Sequence, residues 1–112
     1  MITFNEYQEQ ASETMQSYNS KDQENYFLGY LGLAGESGSV LTTLKKYIRD
    51  GEGFGGFAET LKEELGDVLW YISAIASHNG IKLGEIANAN ILKTRDRFEE
   101  LSLTEVPRFD ES

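Results

Sequence analysis

The chain has 112 residues, enough for one domain with its own core and few enough that a subunit interface would matter to it. Its 39% hydrophobic and 26% charged residues are the balance of a soluble globular protein, and the lack of cysteine excludes disulfides, thiolate metal sites and a cysteine nucleophile. A formal charge of −9 opposes general binding to a nucleic-acid backbone, and no apolar run reaches signal-peptide or membrane-spanning character, so neither nucleic acid nor membrane is an expected partner and a cytoplasmic location is expected by default.

Hydrophobic periodicity predicts four helices and no strand, an all-α chain in a single domain over 1–112, with its core at about 3–101. The first helix starts at Thr3, whose spacing to Glu6 makes a capping box, and carries Phe4, Tyr7, Ala11, Met15 and Tyr18 on one stripe. A turn around Asn19 and Ser20 leads to a second helix from about Gln23 to Arg49, with Tyr26, Tyr30, Leu33, Val40, Leu41, Leu44 and Ile48 as its expected core face. Gly29, Gly32, Gly35 and Gly38 interrupt it, and each costs about 1 kcal/mol relative to Ala in a helix interior. Close approach of another helix, or of a ligand beside Glu36, would offset them. Alternatively the helix begins later and the early glycines form a bend.

Gly51-Glu52-Gly53-Phe54-Gly55-Gly56 ends the second helix in a loop of mobile composition. The third helix runs from about Ala58 to Asn79 with Leu61, Leu65, Val68, Leu69, Ile72, Ile75 and Ala76 on its apolar stripe, and Gly80 is a natural C′ residue after it. A fourth helix follows from about Leu83 to Leu101, and 102–112 reads as a loose tail.

Two short acidic clusters suggest a divalent-metal site. Glu64 and Asp67 are three residues apart, so they project from neighbouring positions on one face of the third helix, roughly 80° and 140° from the centre of its apolar stripe. Glu36 occupies the matching shoulder of the second helix, and position 39 lies where Asp67 lies on the third. Hard cations such as Mg²⁺ prefer oxygen ligands of this kind. The plainer reading is that Glu63 and Glu64 are surface residues paired with a nearby lysine such as Lys62.

Lys45, Lys46 and Arg49, then Lys93, Arg95 and Arg97, form two basic groups. They suit either phosphate or the negative ends of helix dipoles. His78 reads as a helix C-terminal residue favoured by the dipole. Trp70 falls almost opposite the apolar stripe among Gly66, Ser73, Ala74 and Ser77, which suggests a second buried surface and an oligomer, with an aromatic base platform as the functional alternative.

Gly32-Leu33-Ala34-Gly35-Glu36, then Leu44-Lys45-Lys46, then Glu63-Glu64-Leu65-Gly66-Asp67-Val68-Leu69-Trp70-Tyr71, then Asn90 to Phe98 with Lys93, Arg95 and Arg97, stand in an order that resembles the MazG-like all-α nucleotide pyrophosphohydrolases. The resemblance implies an all-α four-helix bundle module that assembles as a homodimer or homotetramer, with Mg²⁺, or Mn²⁺ as a substitute, held between the second and third helices. It also implies cleavage of a nucleoside triphosphate between its α and β phosphates to a monophosphate and pyrophosphate, as in clearing a nucleotide pool.

The family's metal ligands map to Glu36, position 39, Glu64 and Asp67, and its phosphate contacts to Asn90, Lys93 and Arg97. Glu63 or Glu36 would accept the proton of the attacking water, Tyr71 would sit near the base, and Lys46 would add a phosphate contact. Position 39 is Ser where the family has Glu. The alternative expectation is therefore a degenerate member that binds nucleotides, or acts as a regulatory helical module, without turnover. A helical interaction protein of purely structural role is a third.

Overall fold

The structure, a computed structural model, describes residues 1–15, 23–51 and 55–103. They form four helices in chain order, α1 (Phe4–Glu13), α2 (Gln23–Asp50), α3 (Phe57–His78) and α4 (Leu83–Leu103), with no strand among the described residues. The predicted turn at 19–20, residues 52–54 of the glycine-rich loop and the tail beyond 103 lie outside them.

The local signals of the sequence account for the helix ends. At the start of α1 the Glu6 amide donates to Thr3 Oγ1 at 3.1 Å and the Thr3 amide donates to Glu6 Oε1 at 2.9 Å, which completes the capping box. The helix closes at Glu13, so Met15 falls beyond it, yet Met15 is 1% exposed. Tyr18, the last residue of the predicted stripe, lies outside the described residues. After α3, Gly80 takes φ 67°, its amide donates to the Ser77 carbonyl, and the Ile81 amide donates to the Ala76 carbonyl. That pair of bonds is a Schellman motif, and the positive φ is the reason a glycine stands there.

α2 and α3 lie antiparallel. Near one end Tyr26 donates to Asn79 Oδ1 at 3.2 Å and its hydroxyl lies 2.7 Å from that of Tyr30, while near the other the rings of Tyr47 and Phe57 sit 4.3 Å apart. α1 covers a second side of α3: Ala11, Met15 and Ala74 are buried together, with Tyr7 and Trp70 packed against them. The second buried surface inferred around Trp70 is therefore filled by a helix of the same chain, and Trp70 by itself gives no argument for an oligomer.

The expected core face of α2 is only partly covered. Leu41, Leu44 and Ile48 are 66%, 43% and 73% exposed, because α3 meets α2 along the side of Gly29 and Gly32 and nothing else in the described chain covers the C-terminal apolar positions. Leu65 is likewise about half exposed on α3.

Candidate metal centre

The antiparallel pairing sets Glu36 of α2 opposite Glu64 and Asp67 of α3. One carboxylate oxygen from each lies within 4.8 Å of the other two. Glu36 and Glu64 are half-buried and Asp67 is exposed. An open cavity of about 320 Å³ borders the group, lined by Glu36, Asp67, Trp70 and Tyr71. Its size is at the lower end for small-molecule sites.

Gly32 sets the helix spacing here. A Cβ on it would stand 2.1 Å from Tyr71 Cε1, so the tyrosine ring lies in a notch that only glycine leaves open. Gly29 similarly admits Ile75, whose Cγ1 lies 3.4 Å from a built Cβ. These two of the four glycines are accounted for by close helix approach, and α2 has no bend at them. Gly35 and Gly38, on either side of Glu36, face open space within 4 Å.

The donor set fits a hard divalent cation. Two oxygens sharing a Mg²⁺ at about 2.1 Å are at most about 4.2 Å apart. The 4.8 Å within which the three carboxylate oxygens lie is close to that limit, a difference of the size that side-chain rotation spans. Three like charges this close repel one another, and a divalent cation removes the repulsion.

Ser39 is half-buried, and its hydroxyl donates back to the Gly35 carbonyl at 3.3 Å. That bond commits its proton to the helix backbone, as serine often does four residues on. Glu63 is exposed and is not one of the three converging carboxylates. Lys46 is exposed on α2, and Asn90, Lys93 and Arg97 are exposed on α4; none of the four is among the described lining of the cavity.

Two contacts of the surroundings were not read from sequence. Burial pushes the Tyr7 phenol up from its ordinary value, and the negative charge of Asp67 adds to the shift, so α1 also borders the acidic group. Thr14 accepts the indole N–H of Trp70 at 2.9 Å. Tyr7 is a stripe position, which carries no signal about which helix it meets, and Thr14 lies off the stripe, so neither contact was legible beforehand.

An all-helical chain with three carboxylates converging between two antiparallel helices defines an acidic-site helical protein. A family model described as the MazG nucleotide pyrophosphohydrolase domain matches residues 29–102, and the chain belongs to that family. The match begins within α2, so α1 precedes it. The Gene 37 protein of Mycobacterium phage L5 is 33% identical over 69 residues, a stretch that covers 60% of this chain and 60% of that protein. No solved structure matches. No helix among the described residues is long and apolar enough to cross a membrane.

Proposed function

We propose that this chain is a Mg²⁺-dependent nucleoside triphosphate pyrophosphohydrolase that cleaves between the α and β phosphates. The observation that carries the reading is the convergence of Glu36, Glu64 and Asp67 beside a cavity with aromatic walls. These three carboxylates would hold Mg²⁺ or Mn²⁺, which when bound supplies charge neutralisation and Lewis-acid polarisation at the phosphate oxygens. Glu36 lines the cavity and is the group suited to accept a proton from the attacking water, a role for which exposed Glu63 is less well supported. Tyr71 borders the base. Asn90, Lys93 and Arg97 contact the phosphates, with Lys46 as a further cation.

The exposed apolar side chains support a homodimer or homotetramer. Leu41 and Ile48 on α2, with Ile91, Leu92 and Phe98 on α4, are 48% to 73% exposed in the single chain. A second copy covering these faces would bury them and give the basic residues of α4 something to pack against.

The second reading, a nucleotide-binding member without turnover, draws support from Ser39, whose hydroxyl is hydrogen-bonded to its own helix. Pyrophosphate release from a panel of nucleoside triphosphates, with Mg²⁺ and with chelator, separates the two. Metal-dependent release is expected. Calorimetric nucleotide binding without release from any substrate selects the second reading instead.

A further inference from the structure

We propose that Trp70 is the wall against which the aromatic base of the nucleotide is held, and that Thr14, the C-cap of α1, is the residue that positions it. The inference rests on the nucleotide reading above and adds to it the specificity element. Trp70 follows Asp67 by one helical turn, so the indole and the carboxylate border the same cavity. The cavity is divided in character: Glu36 and Asp67 supply its acidic part, and Trp70 and Tyr71 its aromatic part. That division matches a ligand with a metal-bound phosphate chain at one end and a planar heterocycle at the other. The two rings stand 5.1 Å apart at 84°, an edge-to-face contact that braces the indole and the phenol against each other at the cavity.

The indole is fixed before any ligand arrives. Its N–H donates to Thr14 Oγ1 at 2.9 Å, and the Thr14 hydroxyl in turn donates to the Ala11 carbonyl at 2.7 Å. The acceptor lone pair is thus aimed by a second bond. The rest of the side chain packs against Ala11, Met15 and Ala74. Thr14, Ala11 and Met15 all precede the residues matched by the family, so the orientation of this wall is set largely by the C-terminal end of α1 and the two residues after it. Packing alone would require Trp70 to be large and apolar, but would not require it to line the cavity.

Trp70 is the sole tryptophan, so the intrinsic fluorescence of the intact chain reports on it directly. The probes are α,β-methylene nucleoside triphosphates, which resist cleavage, and inorganic tripolyphosphate, which lacks a base, each with Mg²⁺. The nucleotide analogues should shift or quench the fluorescence, whereas tripolyphosphate should bind by calorimetry with little change. Trp70→Leu should weaken the analogues roughly tenfold, as loss of a base–aromatic contact does, and leave tripolyphosphate unaffected.

Thr14→Val, which keeps the shape and removes the hydroxyl, should raise KM for nucleotides with kcat unchanged, and Thr14→Ser should restore it. Should Trp70→Leu fail to fold, Thr14→Val and the fluorescence of the unaltered chain still decide. Analogue binding by calorimetry with unmoved fluorescence, or equal affinity in the variants, overturns the proposal and leaves Trp70 as packing for α1. Tripolyphosphate and analogues both failing to bind overturns the nucleotide reading itself.

Discussion

α3 and α4 are similar in length, at 22 and 21 residues, and carry most of the residues expected to act on a nucleotide, α3 the acidic ones and Tyr71 and α4 the phosphate contacts Asn90, Lys93 and Arg97, yet the fold holds them differently. α3 is covered by α2 and by α1, with Ser73, Ala74 and Ala76 buried, and this fixes Glu64 and Asp67 opposite Glu36. α4 is anchored at its N-terminus. There Leu83 is 3% exposed, its amide donates to Gln8 Oε1 at 2.7 Å, and the Gly84 amide donates to Asn5 Oδ1 at 2.9 Å. Those two α1 side chains serve amides of the first turn that a helix cannot satisfy internally. Farther along, Ile91, Leu92 and Phe98 are about half exposed. The acidic half of the site is thus a property of the folded chain, while the placement of the basic half depends on what α4 packs against.

The largest effect should come from breaking the α3 half. Glu64→Gln and Asp67→Asn should each lower kcat/KM at least about a hundredfold, as loss of a group that stabilises charge in the transition state does. Melting temperature without metal should change little, because each substitution keeps the side-chain shape and relieves repulsion within the acidic group. Full activity in either variant would move the site off α3.

Loosening the anchor of α4 comes next. Gln8 Nε2 donates to Ser77 Oγ and to the Ile81 carbonyl at 3.1 and 2.8 Å, while its Oε1 accepts from Leu83, so one side chain ties α1 to the α3–α4 turn. Gln8→Ala leaves these groups without their partner and should cost about 2 kcal/mol in urea unfolding. Hydrogen exchange at Leu83 and Gly84 should quicken with it. Unchanged exchange there would mean that α4 is held mainly by packing rather than by these bonds.

Lys93→Ala and Arg97→Ala test the basic half itself. Each should weaken nucleotide binding roughly tenfold, the loss of one charge-assisted hydrogen bond, with little effect on stability because both side chains are exposed. If α4 serves a site shared between copies, that sensitivity should fade when the protein is diluted until it dissociates. A loss that persists in the monomer would place α4 against its own cavity.

The sequence carried the features that act locally or repeat with the helix. The Thr3–Glu6 box, the Gly80 stop, the four helices and the shared shoulder of Glu36, Glu64 and Asp67 all follow from spacing along one helix or from matching two. Periodicity also identified the apolar face of α2, but it says that a face is apolar and not what covers it. Leu41 and Ile48 therefore read as core and stand exposed in the chain. The second surface around Trp70 was foreseen without its occupant for the same reason, and α1 fills it.

The glycines of α2 give the smallest effect and the finest test, because two of them sit one helical turn apart in opposite surroundings. Gly32→Ala would force a methyl into the Tyr71 ring at 2.1 Å. The gain in helix propensity is about 1 kcal/mol, whereas overpacking costs about 1–3 kcal/mol, so the variant should be destabilised and Tyr71 displaced from the cavity. Gly35→Ala meets nothing within 4 Å and should stabilise the monomer by about 1 kcal/mol. Gly35 adjoins Glu36, so the sign of its effect depends on what occupies that open side in the assembled protein. Paired thermal melts and sedimentation across a range of protein concentrations read this directly. A Gly35→Ala chain that is more stable when dilute but assembles less readily has a second copy packed against the open side of α2, whereas equal stabilisation at every concentration leaves that side facing solvent or ligand.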